Sequence, residues 1–317
     1  MSLPSPTTVP GPQALVPLVR GLAPREGYNP TALRGVRLLR SDRPLPRTPV
    51  LYDPVIVIVC QGHKRGWFGQ RLYRYDALQY LAVSVPVPFT METDASAEEP
   101  LLALYLQLDF ALAADLMLEI DRLGGGASDA QAQSMVSSPM DATLCLAVQR
   151  LLEALADPVE ASVLGPQLLR ELYYRVLTGP QGPTIRAALA SRGSFGRIGR
   201  ALQRIHADHA SRLDVATLAR EAGMSVPSFH AHFRAVTCTS PLQYVKSLRL
   251  HQARLLMVQQ DMTAAAACHA VGFESASQFN REFKRLFGLT PAREAQRMRQ
   301  SFALPPREAG SRYVSSH

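Results

Sequence analysis

The stretch Thr263–Phe287, TAAAACHAVGFESASQFNREFKRLF, most constrains what this chain can fold into. Phe279, Phe283 and Phe287 recur every fourth residue, so a helix carries their rings as one apolar stripe that must be buried. Ser275 is placed to cap that helix, and Thr263 to cap a shorter helix of small residues before it. Val271-Gly272-Phe273 is the turn between them. Ser277, Gln278, Asn280, Arg281 and Lys284 project away from the stripe. Gln and Asn side chains match adenine edges bidentately, and Arg matches guanine.

The plan occurs twice. In Asp214–Val236, Asp214 caps a short helix carrying Val215, Leu218 and Ala219. Ala222-Gly223-Met224 is the turn, with Gly223 free to adopt the left-handed backbone that a tight inter-helix turn requires. Ser225 caps a second helix, with Pro227 in its first turn, where a missing N–H costs nothing. Phe229 and Phe233 face the core, leaving Ser228, His230, Ala231 and Arg234 on other faces. A single pair of this kind is most often a plain helical hairpin. Two units together are more informative, because Pro241–Gln260 between them reads as helix. Those 20 or so residues make roughly 30 Å of helix at ~1.5 Å per residue. Recognition helices on successive major-groove faces sit ~34 Å apart.

Charge points the same way. Residues 191–300 hold 16 Lys/Arg against 7 Asp/Glu, whereas the rest of the chain holds 18 against 19. The whole basic excess of a chain with net charge +8 therefore lies in the segment carrying both units. A confined basic surface suits a phosphate backbone, although a solvated basic face has the same composition.

Upstream, the pattern changes from helix to strand. Residues 1–27 are Pro-rich and read as a flexible arm, with neither the basic flank nor the apolar core of a secretory signal. Strand signals run from about Leu33 to Leu108. Leu51–Cys60 reads as one buried strand, Arg65–Tyr75 and Gln79–Val85 as further strands with turns at Gly69 and Asp76, and Leu102–Leu108 as a strand with one buried face. Helices are expected over Phe110–Leu123, which ends at a flexible Gly124–Gly126 loop, then from Asp141 to about Ala156, and over Leu164–Leu177. The domain boundary is expected between Gly179 and Ser194. No apolar run reaches the ~18 residues of a membrane span. The four cysteines form no metal-binding or disulfide pattern, consistent with a reducing cytoplasm.

The run Val271–Pro291, VGFESASQFNREFKRLFGLTP, resembles the signature of AraC/XylS-type transcription regulators. The resemblance covers roughly Ile198–Met298 and implies two helix-turn-helix subdomains joined by a long helix, usually activating transcription. It places the base-facing positions on Pro227, Ser228, His230 and Ala231, and on Ala276, Ser277, Gln278, Asn280 and Arg281. Pro227 and Ala231 are weak readers. Glu294 and Ala295 replace the aromatic and Arg that usually follow the Thr-Pro pair, so the final helix is expected to pack differently. The N-terminal region is similar to one group of that family through Tyr52-x-Pro54, Cys60-Gln61-Gly62-His63-Lys64, Tyr73–Asp76, Tyr80-Leu81, Val85–Pro88, Pro100-Leu101 and Arg170–Leu177-x-Gly179.

The resemblance implies an α+β chain. A cupin-like β-sandwich with dimerising helices spans 28–182, an all-α DNA-binding domain spans 195–300, and a flexible tail occupies 301–317. Its implied partners are double-stranded DNA, a second copy of the chain, a small-molecule effector and, for an activator, RNA polymerase. The alternative is a constitutive regulator whose β-domain only dimerises.

An enzyme is disfavoured. Before residue 200 the only histidine is His63, so a His-rich metal centre is impossible there, and no nucleophile elbow or phosphate loop occurs. No cofactor, metal or membrane partner is expected. The DNA-binding residues read from the sequence are Ser228, His230, Arg234, Ser277, Gln278, Asn280, Arg281 and Lys284. The candidates for sensing are Cys60, a thiol beside His63, Lys64 and Arg65, and an anion-binding set of Lys64, Arg71 and Arg74. Each also has an ordinary structural reading: a buried small hydrophobe for Cys60, and solvated strand residues for the arginines.

Overall fold

The computed structural model describes residues 12–124, 130–190 and 193–301. Two antiparallel sheets face each other. A six-stranded sheet has the order β1 (Gly27–Pro30), β2 (Val36–Ser41), β9 (Leu101–Gln107), β4 (Val55–Gln61), β7 (Gln79–Val83), β10 (Met135–Pro139). A four-stranded sheet has the order β3 (Leu45–Tyr52), β8 (Val87–Asp94), β5 (His63–Phe68), β6 (Arg71–Asp76). Strand β4 is apolar from Val55 to Cys60 because both its faces are buried there. Val55, Val57 and Val59 pack between the sheets, while Ile56, Ile58 and Cys60 pack under helices. Strand β9 does the same: Leu101, Ala103 and Tyr105 face one way, and Leu102, Leu104 and Leu106 the other. The expectation of a single buried face for β9 is thus corrected.

The expected single strand Leu51–Cys60 is two strands in different sheets. The chain crosses from β3 to β4 at Asp53-Pro54, where proline can donate no ladder hydrogen bond. The Pro-rich arm is also corrected in part. Pro12–Leu22 forms helix α1, whose Leu15 and Val19 are fully buried. Burial of those two side chains holds the helix although Pro17 lies inside it, where a proline removes a backbone hydrogen bond.

Helices α2 (Phe110–Arg122), α3 (Ala142–Ala154), α4 (Pro158–Thr178) and α5 (Gly182–Leu189) join α1 on the outer face of the six-stranded sheet. Asp109, Asp141 and Asp157 cap α2, α3 and α4 by accepting backbone N–H bonds. The gap expected between domains therefore holds a helix, α5. Gly125, Gly126 and the tail from residue 302 lie outside the described residues.

The C-terminal half is helical throughout: α6 (Gly193–Ala207), α7 (Val215–Glu221), α8 (Val226–Thr237), α9 (Pro241–Gln259), α10 (Ala264–Ala270), α11 (Ala276–Phe287) and α12 (Pro291–Ser301). Its cores are unequal. Phe229, Phe233, Ile198, Leu202 and the first half of α9 (Tyr244, Val245, Leu248) form one continuous core with the interior of the β-sandwich. The second half of α9 (Leu250, Ala253, Met257) joins Phe273, Phe279, Phe283 and Phe287 in a separate core. No described helix is long and apolar enough to cross a membrane.

Candidate nucleic-acid interface and interior cavity

Both helical pairs are made as their caps dictate. Asp214 accepts from the Thr217 N–H at 2.9 Å, and Ser225 from the Ser228 N–H at 3.4 Å. In the second pair, Thr263 accepts from the Ala266 N–H at 3.1 Å, and Ser275 from the Gln278 N–H at 3.3 Å. The turn glycines both have positive φ, +63° at Gly223 and +82° at Gly272. Helix α8 ends on Cys238 in the left-handed conformation, and α11 on Gly288.

On α11 the ring stripe is buried, with Phe279–Phe283 centroids 5.5 Å apart and Phe283–Phe287 centroids 4.5 Å apart. The opposite face leaves Ser277, Gln278, Asn280, Arg281 and Lys284 all exposed. On α8 only Arg234 of the predicted readers is fully exposed, and Ser228 and His230 are half-buried. Pro227 and Ala231, which lack hydrogen-bonding side chains, occupy exposed positions beside them.

Arg249, in the connecting helix, was not among the residues singled out from the sequence. Its guanidinium donates to the carbonyls of His209 (2.7 Å), Ser211 (2.7 Å) and Gly272 (2.9 Å). The first two lie in the loop before α7 and the third in the turn of the second pair, so one side chain ties the two units together. A Cβ on Gly272 would meet the Ala210 carbonyl oxygen at 2.2 Å, so the units also touch backbone to backbone. Arg249 sits between Leu248 and Leu250, with Lys246 and His251 nearby, and nothing in the local sequence marks it out.

Helices α8 and α9 are also fastened to the β-domain. Ser134 Oγ donates to the Val236 carbonyl at 2.5 Å, and Tyr244 Oη donates to the Pro86 carbonyl at 3.0 Å. His206 Nε2 lies 2.7 Å from the same hydroxyl, whose proton is committed to Pro86, so the ring nitrogen is the donor. Burial pushes His206 down to about 3, which keeps it neutral.

The sensing candidates are dispersed. Cys60 points under the helices, away from the cations adjacent in sequence, and burial pushes its thiol up to about 12. The reactive-thiol reading is corrected accordingly, because neighbours in a strand alternate between faces. His63 is exposed and lies 3.2 Å from Asp76. Arg71 and Arg74 are exposed on β6, with Arg71 3.3 Å from Gln133 Oε1. Lys64 is inside. Only 1% exposed, it donates to Tyr105 Oη at 2.6 Å and Tyr52 Oη at 3.1 Å. The anion-binding set of Lys64, Arg71 and Arg74 is therefore split between interior and surface. Lys64 lines a cavity of about 220 Å³ that also meets Tyr28, Leu39, Met91 and, from α12, Arg299.

Residues 32–184 match the family described as AraC-type transcriptional regulator N-terminus, and residues 218–297 match a helix-turn-helix domain. The chain belongs to the AraC family of transcriptional regulators. This AraC-family chain is 34% identical over 104 residues to the RCS-specific HTH-type transcriptional activator RclR of Escherichia coli, covering 33% of this chain and 37% of that protein. It is 30% identical over 129 residues to the HTH-type transcriptional regulator ExsA of Pseudomonas aeruginosa, covering 40% and 46%. The chain thus spans less than half the length of either relative. Its fold is similar to that of unsaturated fatty acid-bound ToxT from Vibrio cholerae, with TM-score 0.57, 11% identity, and coverage of 86% and 96%.

The AraC-type final helix carries the departure noted in the sequence. Glu294 is fully buried and accepts from Arg254 Nη1 at 3.2 Å and from Arg297 Nε and Nη2 at 2.9 Å. Arg254, equally buried, also donates to the Pro49 carbonyl of β3 at 3.1 Å and lies 4.3 Å from the Phe287 ring. Helix α12 is thereby tied to the connecting helix and, through Arg254, to the β-domain.

Proposed function

We propose that this protein is a sequence-specific DNA-binding transcription regulator that reads its operator chiefly through α11 and responds to a small molecule held in the sandwich cavity. The observation that carries the reading is the exposed row Ser277, Gln278, Asn280, Arg281 and Lys284 on a capped helix whose opposite face is buried. Such a helix offers donors and acceptors to base edges, with cations for phosphate at its end. Ser228, His230 and Arg234 on α8 serve mainly to place the protein on the backbone. The names of the relatives support this assignment, and the fatty acid bound by the ToxT neighbour supports a ligand in the β-domain.

The protein acts as a homodimer in the cytoplasm, meets RNA polymerase as an activator, and catalyses no reaction. Exposed Leu118 on α2, with Val159 and Val163 on α4, supports helix-mediated pairing. Genome-wide footprinting with and without candidate metabolites tests the whole reading. Discrete protected sites that Asn280→Ala erases are the expected result. Uniform, sequence-blind protection would overturn it, and discrete sites indifferent to every metabolite would leave the constitutive alternative.

A further inference from the structure

The basic residues of this chain are chosen with a strong bias. Of 34 Lys and Arg, three are lysines: Lys64, Lys246 and Lys284. Lys246 is ion-paired with Glu282 at 3.2 Å, and Lys284 is exposed on α11. The remaining lysine is the one buried between the sheets. Arginine would supply a fixed charge there, but it can neither lose its proton nor attack an electrophile; an ammonium can do the first, and the resulting amine the second.

The surroundings of Lys64 favour the amine. Among the described residues no carboxylate is within ion-pair distance of it. Its hydrogen-bond partners are the phenols of Tyr105 and Tyr52, with Tyr75 also facing it, its ring centroid 5.9 Å away. Burial raises all three phenols, so they remain neutral hydroxyls and give the ammonium no counter-charge. Desolvation then brings Lys64 down to about 7, leaving a large fraction unprotonated near neutrality. Lys64 also lines the 220 Å³ cavity, whose walls include the side chains of Leu39, Leu45 and Met91.

We propose that Lys64 captures a small aldehyde or ketone inside the sandwich as a reversible imine. This rests on the reading of the cavity as an effector site and names the effector's class. The Nζ lone pair attacks the carbonyl carbon, forming a C–N bond as the C=O electrons move to oxygen. The two amine protons leave with that oxygen as water, and C=N replaces C=O. Nothing is oxidised or reduced, and addition of water reverses the step. The Tyr105 hydroxyl, 2.6 Å from Nζ, is the positioned group for handing a proton to the departing oxygen. Arg299 of α12 lines the same cavity, and Arg43 beside it is 3.4 Å from the Gln300 carbonyl. Occupancy of the cavity is thereby felt by the last helix of the DNA-binding half.

The test uses the full chain with butanal as probe and cyanoborohydride to trap the imine, read by peptide mass mapping. Lys64 should carry the butyl group at least about tenfold faster than Lys246 or Lys284, because the free amine attacks a carbonyl and an ammonium does not. Lys64→Arg should lose that label while melting as a folded protein. Absence of label, or label no faster at Lys64 than at the other two lysines, would overturn the proposal. So would stabilisation by butanoate with no trapped adduct from butanal, which would mark a plain anion site. Labelling at Lys64 with unchanged operator affinity would uphold capture and overturn the effector reading instead.

Discussion

The two helix-turn-helix units share caps, a glycine turn and paired phenylalanines, yet they are supported differently. The rings of the first unit, Phe229 and Phe233, sit in a core that continues into the β-sandwich. Those of the second, Phe279, Phe283 and Phe287, sit in a core closed by α9 and α12. The first recognition helix is further bonded to the β-domain through Val236, and Tyr244 beside it through Pro86. The second presents the fuller set of exposed polar and charged side chains. The more extensive packing against the β-domain and the larger row of exposed polar side chains thus fall on opposite units. The β-domain touches the first unit through shared packing. It touches the second through Arg254, which bonds both the Pro49 carbonyl of β3 and Glu294 of α12, while Arg249 ties the two units to each other.

Ring deletions should break the comparison most sharply. Phe283→Ala and Phe233→Ala each remove a fully buried ring and should cost ~3–5 kcal/mol. The first should melt the second unit alone, while the second should lower the main transition together with the sandwich. Hydrogen exchange resolved by segment checks this, and a Phe283→Ala protein losing protection uniformly would merge the two cores. The turn glycines come next. Gly272→Ala adds backbone overlap to left-handed strain, for roughly 2–5 kcal/mol. Gly223→Ala would meet only Arg197 Nη1, at 3.9 Å, and should cost only about 1–2 kcal/mol, so equal midpoint shifts in urea would count against the inter-unit contact.

Reading comes third. Arg281→Ala should lose ~1–3 kcal/mol on the specific operator, with His230→Ala losing less. If Arg281 touches only phosphate, all sequences weaken alike and the salt slope falls by about one. The smallest effect is pH-dependent. His206 is held neutral down to about 3, whereas the unfolded ring takes up a proton near pH 6.5. The unfolded state therefore binds the extra proton below pH 6.5, and stability falls with falling pH across that window by up to ~1.4 kcal/mol per unit. Chemical denaturation of wild type and His206→Gln between pH 7 and 5 should show the shallower slope in the variant.

Much of this molecule was legible before its structure. The caps at Asp141, Asp214, Ser225, Thr263 and Ser275, the turns at Gly223 and Gly272, and the outward row on α11 all follow from local rules. A cap bonds within three residues, a turn needs a positive φ, and i,i+4 spacing defines a face. That Pro227 and Ala231 bring no hydrogen-bonding side chain to α8 was also visible, since they lack donors whatever surrounds them. Tertiary structure alone decided the rest. It split Leu51–Cys60 between two sheets, buried α1 by way of Leu15 and Val19, turned Cys60 away from Lys64, and made Arg249 a clasp on three carbonyls. Those outcomes depend on contacts between residues far apart in the chain. Adjacency in sequence places Cys60, His63 and Lys64 together, but the pleat and the choice of sheet separate them, so only packing shows that Lys64 alone faces a cavity.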